Sequence, residues 1–374
     1  MTTLYSIAAI ALLLGLWFVR WSKHAKRFKE SGYVPAPTGL VGKFIFGRAS
    51  WLLTTLAVGS VKVTKTAKLP KMDHVIWAAN HQFPSDFAML RRGAGRHFRM
   101  LTDSAQLGGV FGVLAAFMGV ISVRFKEKTD GKAAQAACVN VVAEKRSTLN
   151  KVLVGAVTLA FAGLFYLNCT TIGAGTSYGV LGGLILLNTL LVPAGLIIMS
   201  SLLWGVGRGA SLGIFPQGAL IPENVLKPTE FRPGAVRIAR EAAAKSGETV
   251  YIVPIAIHYN RDAHTAGFLS KLSAKHRLAP FIFNGLRNPR AWEPCFKVKL
   301  ENVPEADRPE IERQRAEVME AYNKSKVMLY GGSVVVGAAI DVSTLPADDL
   351  EAIEVIRLKI EDLAKIAANS AATF

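Results

Sequence analysis

Four short apolar runs punctuate the chain, each ending in a turn or polar signal: "HVIWAAN", "GVISVRF", "SLGIFPQG" and "YIVPIAIHY". Runs of this length, rich in β-branched residues and bounded by Gly, Pro or Asn, predict strands. Gly131 to Glu144 and Pro233 to Lys245 lie between them and read as helices. Strands without polar alternation, interleaved with helices, predict an α/β fold: a mostly parallel, buried sheet flanked by helices. Beyond Asp307 the chain turns charged and helical. From Asp348 to Ala368, apolar residues recur at Leu350, Ile353, Ile356, Ile360, Leu363 and Ile366. Steps of three and four predict an amphipathic packing helix there.

Two longer apolar stretches change the picture. Ile7 to Val19 is almost unbroken and is followed by "RWSKHAKRFK". A secretory signal carries its positive charge before the apolar run, so this order predicts a retained N-terminal anchor with the basic cluster inside. A full span needs ~20 residues, which requires Leu4 to Trp21 whole; a re-entrant or interfacial helix is the alternative. Lys43 to Val63 mixes apolar and basic positions and reads equally as an amphipathic surface helix or a core helix. Val152 to Gly207 holds no charged residue, and "NCTTIGAGTSYG" divides it like a turn. That length crosses a ~30 Å hydrocarbon core twice, so a transmembrane hairpin is expected at 152–207. The expected organisation is an anchor region over 1–70, a catalytic domain over 71–300 interrupted by the hairpin, and a helical region over 301–374. The expected location is the membrane, with the α/β domain on the cytoplasmic face.

Composition agrees with that expectation. The 374 residues are 51% hydrophobic with a formal net charge of +17, a balance that suits an anionic membrane surface. Nucleic acid as a partner is excluded, because the basic residues flank apolar segments and form no recognition motif. Cys138, Cys169 and Cys295 are far apart, so neither a disulfide framework nor a metal-ligand pair is indicated.

The chemistry-bearing stretch is "WAANHQFPSDFAML", Trp77 to Leu90. His81 and Asp86 stand five positions apart across a bend shaped by Pro84. A neutral imidazole accepts a proton near pH 7, and a carboxylate beside it fixes its tautomer. The structural alternative is a capped turn, with Ser85 or Asp86 as N-cap of the following helix.

Farther along, "IFPQGALIPENVLKPTEFRPGAVRIARE" places a strand end, a loop and a helix in sequence, and "YIVPIAIHY" follows. Taken together, these stretches resemble the glycerolipid acyltransferase family, typified by the lysophosphatidate acyltransferases. The family's Asn-His-x4-Asp motif is similar to Asn80, His81 and Asp86. Its Phe-Pro-Glu-Gly motif is similar to Phe215, Pro216, Gln217 and Gly218, with Gln for Glu. Its Val-Pro strand resembles Val253-Pro254, and Gly119 to Arg124 approximates the second motif one residue out of register. The resemblance covers roughly Lys71 to Tyr259, apart from the 152–207 insertion.

It implies transfer of a fatty acyl group from acyl-CoA or acyl carrier protein to a lipid hydroxyl, with no metal or redox cofactor. His81 would be the general base and Asp86 its orienting partner. Asn80, Arg124, Phe215, Pro216, Gln217, Gly218 and Arg232 would contact substrate. The implied acceptor is 1-acylglycerol-3-phosphate or another lysophospholipid, in phospholipid biosynthesis; the implied partners are membrane lipids and the acyl donor. One departure bears on the acceptor. A Thr-Arg pair often follows the third motif in the family, and its Arg holds the acceptor phosphate. Ala219 and Leu220 occupy those places here, leaving Arg124, Arg232 or Arg237 to supply a cation. The alternatives are acylation of a glycolipid or other lipid alcohol, and a non-catalytic lipid-binding protein of the same fold.

Overall fold

The computed structural model describes residues 21–35, 60–70, 72–82, 86–104, 119–124, 130–144, 211–218, 228–259, 304–309 and 332–371, with isolated positions between them. The centre is an eight-stranded sheet. Its strands are β1 (Val61–Lys65), β2 (His74–Ala79), β3 (Arg99–Asp103), β4 (Ile121–Val123), β5 (Ser211–Ile214), β6 (Val250–Tyr259), β7 (Gly332–Val336) and β8 (Ile340–Asp341). Its helices are α1 (Asp86–Ala94), α2 (Asp130–Ala143), α3 (Gly234–Ser246) and α4 (Asp349–Ala371). The strand order is β1-β7-β6-β2-β5-β3-β4, with β8 also on β6.

The sheet is mixed, which corrects the mostly parallel expectation at one edge. β6, β2, β5, β3 and β4 run parallel. β7 and β8 pair antiparallel to β6, and β1 lies parallel to β7. β7 and β8 share one edge of the ten-residue β6 and are separated by a break opposite Pro254. The Pro254 carbonyl accepts the Gly337 N–H at 2.9 Å on that side. The donor that proline lacks therefore faces the interruption, which explains a proline inside a central strand.

Side-chain alternation divides the core. Val75, Trp77 and Ala79 of β2 join Val253, Ile255, Ile257 and Tyr259 of β6 beneath α1. Ile76 and Ala78 face the opposite way, with Ile252, toward α2, α3 and α4. Both faces of β2 are buried, the reason its sequence shows no polar alternation. α1 lies close on the sheet: a methyl group at Gly93 would stand 2.7 Å from Val334 Cγ1. That approach seats the last turn of α1 against β7.

The chain's outer parts depart most from expectation. Residues 1–70 and 301–374 supply β1, β7 and β8 to the sheet, so the C-terminal stretch is not simply helical. In α4, Ile353, Ile356, Ile360 and Leu363 are buried as expected, but Leu350 is 64% and Ile366 41% exposed. The basic cluster after the N-terminal apolar run packs against the domain. Trp21 and Phe28 are buried against Leu107, Val113 and Val120. Gly32 N–H donates to Ser122 C=O at 2.8 Å and Ser122 N–H to Tyr33 C=O at 3.2 Å, covering the outer edge of β4.

The membrane architecture is corrected. Among the described residues no helix is long and apolar enough to cross a membrane. That absence counts against the transmembrane keywords, the spanning anchor and hairpin, and the membrane location inferred from them. Residues 152–207, and most of the Ile7 to Val19 run and of Lys43 to Val63, lie outside the described residues. Part of the chain's apolar composition serves strands buried on both faces.

Candidate active site

β2 ends at Ala79, and the next side chain continues its ladder. Asn80 is fully buried. Its Nδ2 donates to the Ile257 carbonyl at 2.8 Å, and its Oδ1 accepts the Ile257 N–H at 2.7 Å. An amide side chain thus replaces a backbone pair and pins the end of β2 to β6. Gln82 Nε2 donates to the same carbonyl at 2.7 Å. The amide of Asn80, expected to contact substrate, bonds the Ile257 backbone here and helps aim the residue that follows.

That residue is His81. Its Nδ1 lies 2.9 Å from Asp86 Oδ2. Asp86 is fully buried while the His81 side chain is 21% exposed. Asp86 opens α1, where the helix dipole favours a negative charge. The same Oδ2 accepts the Gln82 N–H at 2.5 Å, and Oδ1 accepts the Tyr259 hydroxyl at 2.7 Å. These donors help satisfy a carboxylate that burial alone would penalise heavily. Because a carboxylate only accepts, His81 carries its proton on Nδ1 and presents the Nε2 lone pair. No described residue bonds Nε2.

The end of β5 supplies the other wall. The Phe215 ring stacks on His81 at 4.1 Å between centroids and 8° between planes. Gln217 is buried, and its Oε1 accepts the His81 backbone N–H at 2.8 Å. Gly218 closes the turn, donating to the Phe215 carbonyl at 2.9 Å with φ at +63°. That left-handed backbone favours glycine. The Pro216 carbonyl accepts the Arg232 N–H at 3.0 Å. The exposed Arg232 side chain lies across Gly218, its Nε 3.6 Å from where a β-carbon would stand.

His81, Asp86, Phe215, Pro216, Gln217, Gly218 and Arg232 are therefore one cluster at the carboxyl ends of adjacent parallel strands, where α/β sheets form their crevices. Arg124 is not part of it. Extending the register from β2 through β5 and β3 to β4 puts Arg124 level with His81 but three strands away. Spacings of about 4.8 Å make that ~14 Å, within reach of a long substrate's far end but not of the dyad. Arg237 is engaged elsewhere, its Nε 2.8 Å from Asp349 Oδ2. Tyr259 and Gln82, both bonded to Asp86, carry no signal in the sequence; only the alignment of β6 beside β2 reveals them. Among the described residues no group of His, Cys, Asp or Glu is arranged to hold a metal ion.

The chain matches no family model, and no curated protein matches it.

Proposed function

We propose that the chain is an O-acyltransferase in which His81 is the general base for attack of a lipid hydroxyl on an acyl thioester. The observation that carries this reading is the His81 Nδ1–Asp86 Oδ2 contact at 2.9 Å, with Nε2 bonded by no described residue. A lipid hydroxyl is a poor nucleophile until its proton is taken during attack. His81 Nε2 removes that proton as the oxygen bonds to the thioester carbonyl carbon. Asp86 holds the tautomer and balances the resulting imidazolium. The tetrahedral oxyanion needs donors already in place, and the first-turn N–H groups of α1 are the proposed ones. Collapse breaks the C–S bond, and the imidazolium returns its proton to the leaving thiolate. Phe215 covers one imidazole face, so substrates meet the ring at its edge.

Lysophosphatidate or another lysophospholipid is the proposed acceptor. Arg232, beside the Phe215–Gly218 turn, is the cation nearest in kind to the one Leu220 lacks. The test is thiol release from acyl-CoA, and then from acyl carrier protein, across lysophosphatidate, other lysophospholipids, glycolipids and lipid alcohols. Wild type and His81→Ala are run in parallel. Release that depends on one acceptor and vanishes in the variant supports the reading and identifies the substrate. Silence with both donors refutes it.

A further inference from the structure

We infer that Tyr259 is a positioning residue, fixing Asp86 so that Asp86 can fix His81; this rests on the general-base reading above. Asp86 meets its partners on two separate oxygens. Oδ2 takes the His81 Nδ1–H at 2.9 Å and the Gln82 N–H at 2.5 Å. Oδ1 takes the Tyr259 hydroxyl at 2.7 Å. The phenol gives the oxygen that does not meet the imidazole a side-chain donor and so restrains the carboxylate's rotation about Oδ2.

The geometry explains why tyrosine does this. Tyr259 ends β6, two residues beyond Ile257, whose backbone already pins Asn80 and Gln82. Residues two apart in a strand share a face, so Tyr259 lies on the side of the sheet that carries α1. Its ring is buried in the apolar cluster that includes Met89 and Val334. A buried phenol needs a polar partner, and Asp86 is that partner 173 positions away in sequence. β6 therefore holds the base from two points: Ile257 fixes where His81 leaves the sheet, and Tyr259 fixes the carboxylate it leans on.

The test compares full-length wild type with Tyr259→Phe by NMR after selective 15N labelling of the histidine rings. His81 signals are identified by their loss in His81→Ala. Tyr259→Phe is expected to speed solvent exchange of the His81 Nδ1 proton by about tenfold or more and to leave the His74 ring unmoved. Steady-state thiol release should lose about ten- to hundredfold in kcat, as small misplacements of a base do, with the acceptor KM little changed. In an Asp86→Asn background the same substitution should change neither quantity, because its effect runs through Asp86. An unaltered His81 resonance and exchange rate in folded Tyr259→Phe overturns the inference and leaves Tyr259 a packing residue. If the wild type turns over no thioester while the His81 resonance responds, the proposed reaction falls and the positioning role stands. Should Tyr259→Phe fail to fold, 3-fluorotyrosine at position 259 keeps the ring and alters only the hydroxyl's donor strength. It must move the same resonance, and no movement rejects the proposal.

Discussion

One strand carries a histidine at each end, and the two serve different purposes. His74 opens β2 and is buried, its Nδ1 2.5 Å from the Val142 carbonyl. That carbonyl belongs to the last turn of α2, where helices leave acceptors without intrahelical donors. His81 stands just past the other end and gives its Nδ1–H to a carboxylate, with its ring partly open. A carbonyl partner needs only a neutral donor and ties two elements together. A carboxylate also stabilises the protonated ring, which a base must become. On the proposed reading, the partner of Nδ1 and the exposure of the ring separate a fastener from a reagent, although both residues are histidines at the ends of one strand.

Substitution at both ends breaks the comparison most directly. His81→Ala should lower thioester turnover by about 10²- to 10⁴-fold, the range general bases contribute, and cost about 1–3 kcal/mol of stability, because the buried Asp86 carboxylate loses a donor. Asp86→Asn should cost about hundredfold or more in turnover. It should also destabilise by about 1–3 kcal/mol, because an amide nitrogen then confronts a buried donor; calorimetry and kinetics on one preparation separate the two. His74→Ala should cost stability alone. Losing the Val142 partner should cost about 1–2 kcal/mol of stability, with turnover per folded molecule preserved. Equal activity losses at the two histidines would dissolve the distinction.

The smallest effect lies away from both ends. The Arg237 side chain holds the Asp349 carboxyl below the usual carboxylate range, assisted by Arg240. A depressed carboxyl stabilises the fold above its unfolded value and loses that contribution as pH falls through the folded one. The pair is partly exposed, so Asp349→Asn should cost about 0–1 kcal/mol near neutrality. Melting curves of wild type and variant should converge on acidification below the normal carboxylate range.

The legible parts of the fold are those whose residues are buried on both faces. β2, β5 and β6 are apolar runs, and the expected helices stand at Asp130–Ala143 and Gly234–Ser246. β3 hides behind Arg99 and Asp103 at its ends and is half-buried throughout. β1 carries Lys62 and Lys65 as an edge strand does. β7 is a short GSVVV run in a stretch read as helical, and its three consecutive valines were the available signal. At the site, His81 and Asp86 lie close enough in sequence to be paired by inspection. Asn80 is visible as a neighbour, but its work on Ile257 depends on the register of β2 with β6, and so does that of Tyr259. The longest apolar run, 152–207, was read from its length alone and lies outside the described residues.

The place of β7 between β1 and β6 has a bearing on how the molecule is made. A ribosome has already delivered His81, Asp86, Phe215, Gln217 and Tyr259 when residue 259 emerges. β6 then still lacks its antiparallel neighbours, Gly332–Val336 and Ile340–Asp341. Until they arrive, the strand that steadies both histidine and carboxylate presents an open edge to any other nascent chain. All the site's chemistry is present before the last strands are, and the order of synthesis puts its rigidity at the end.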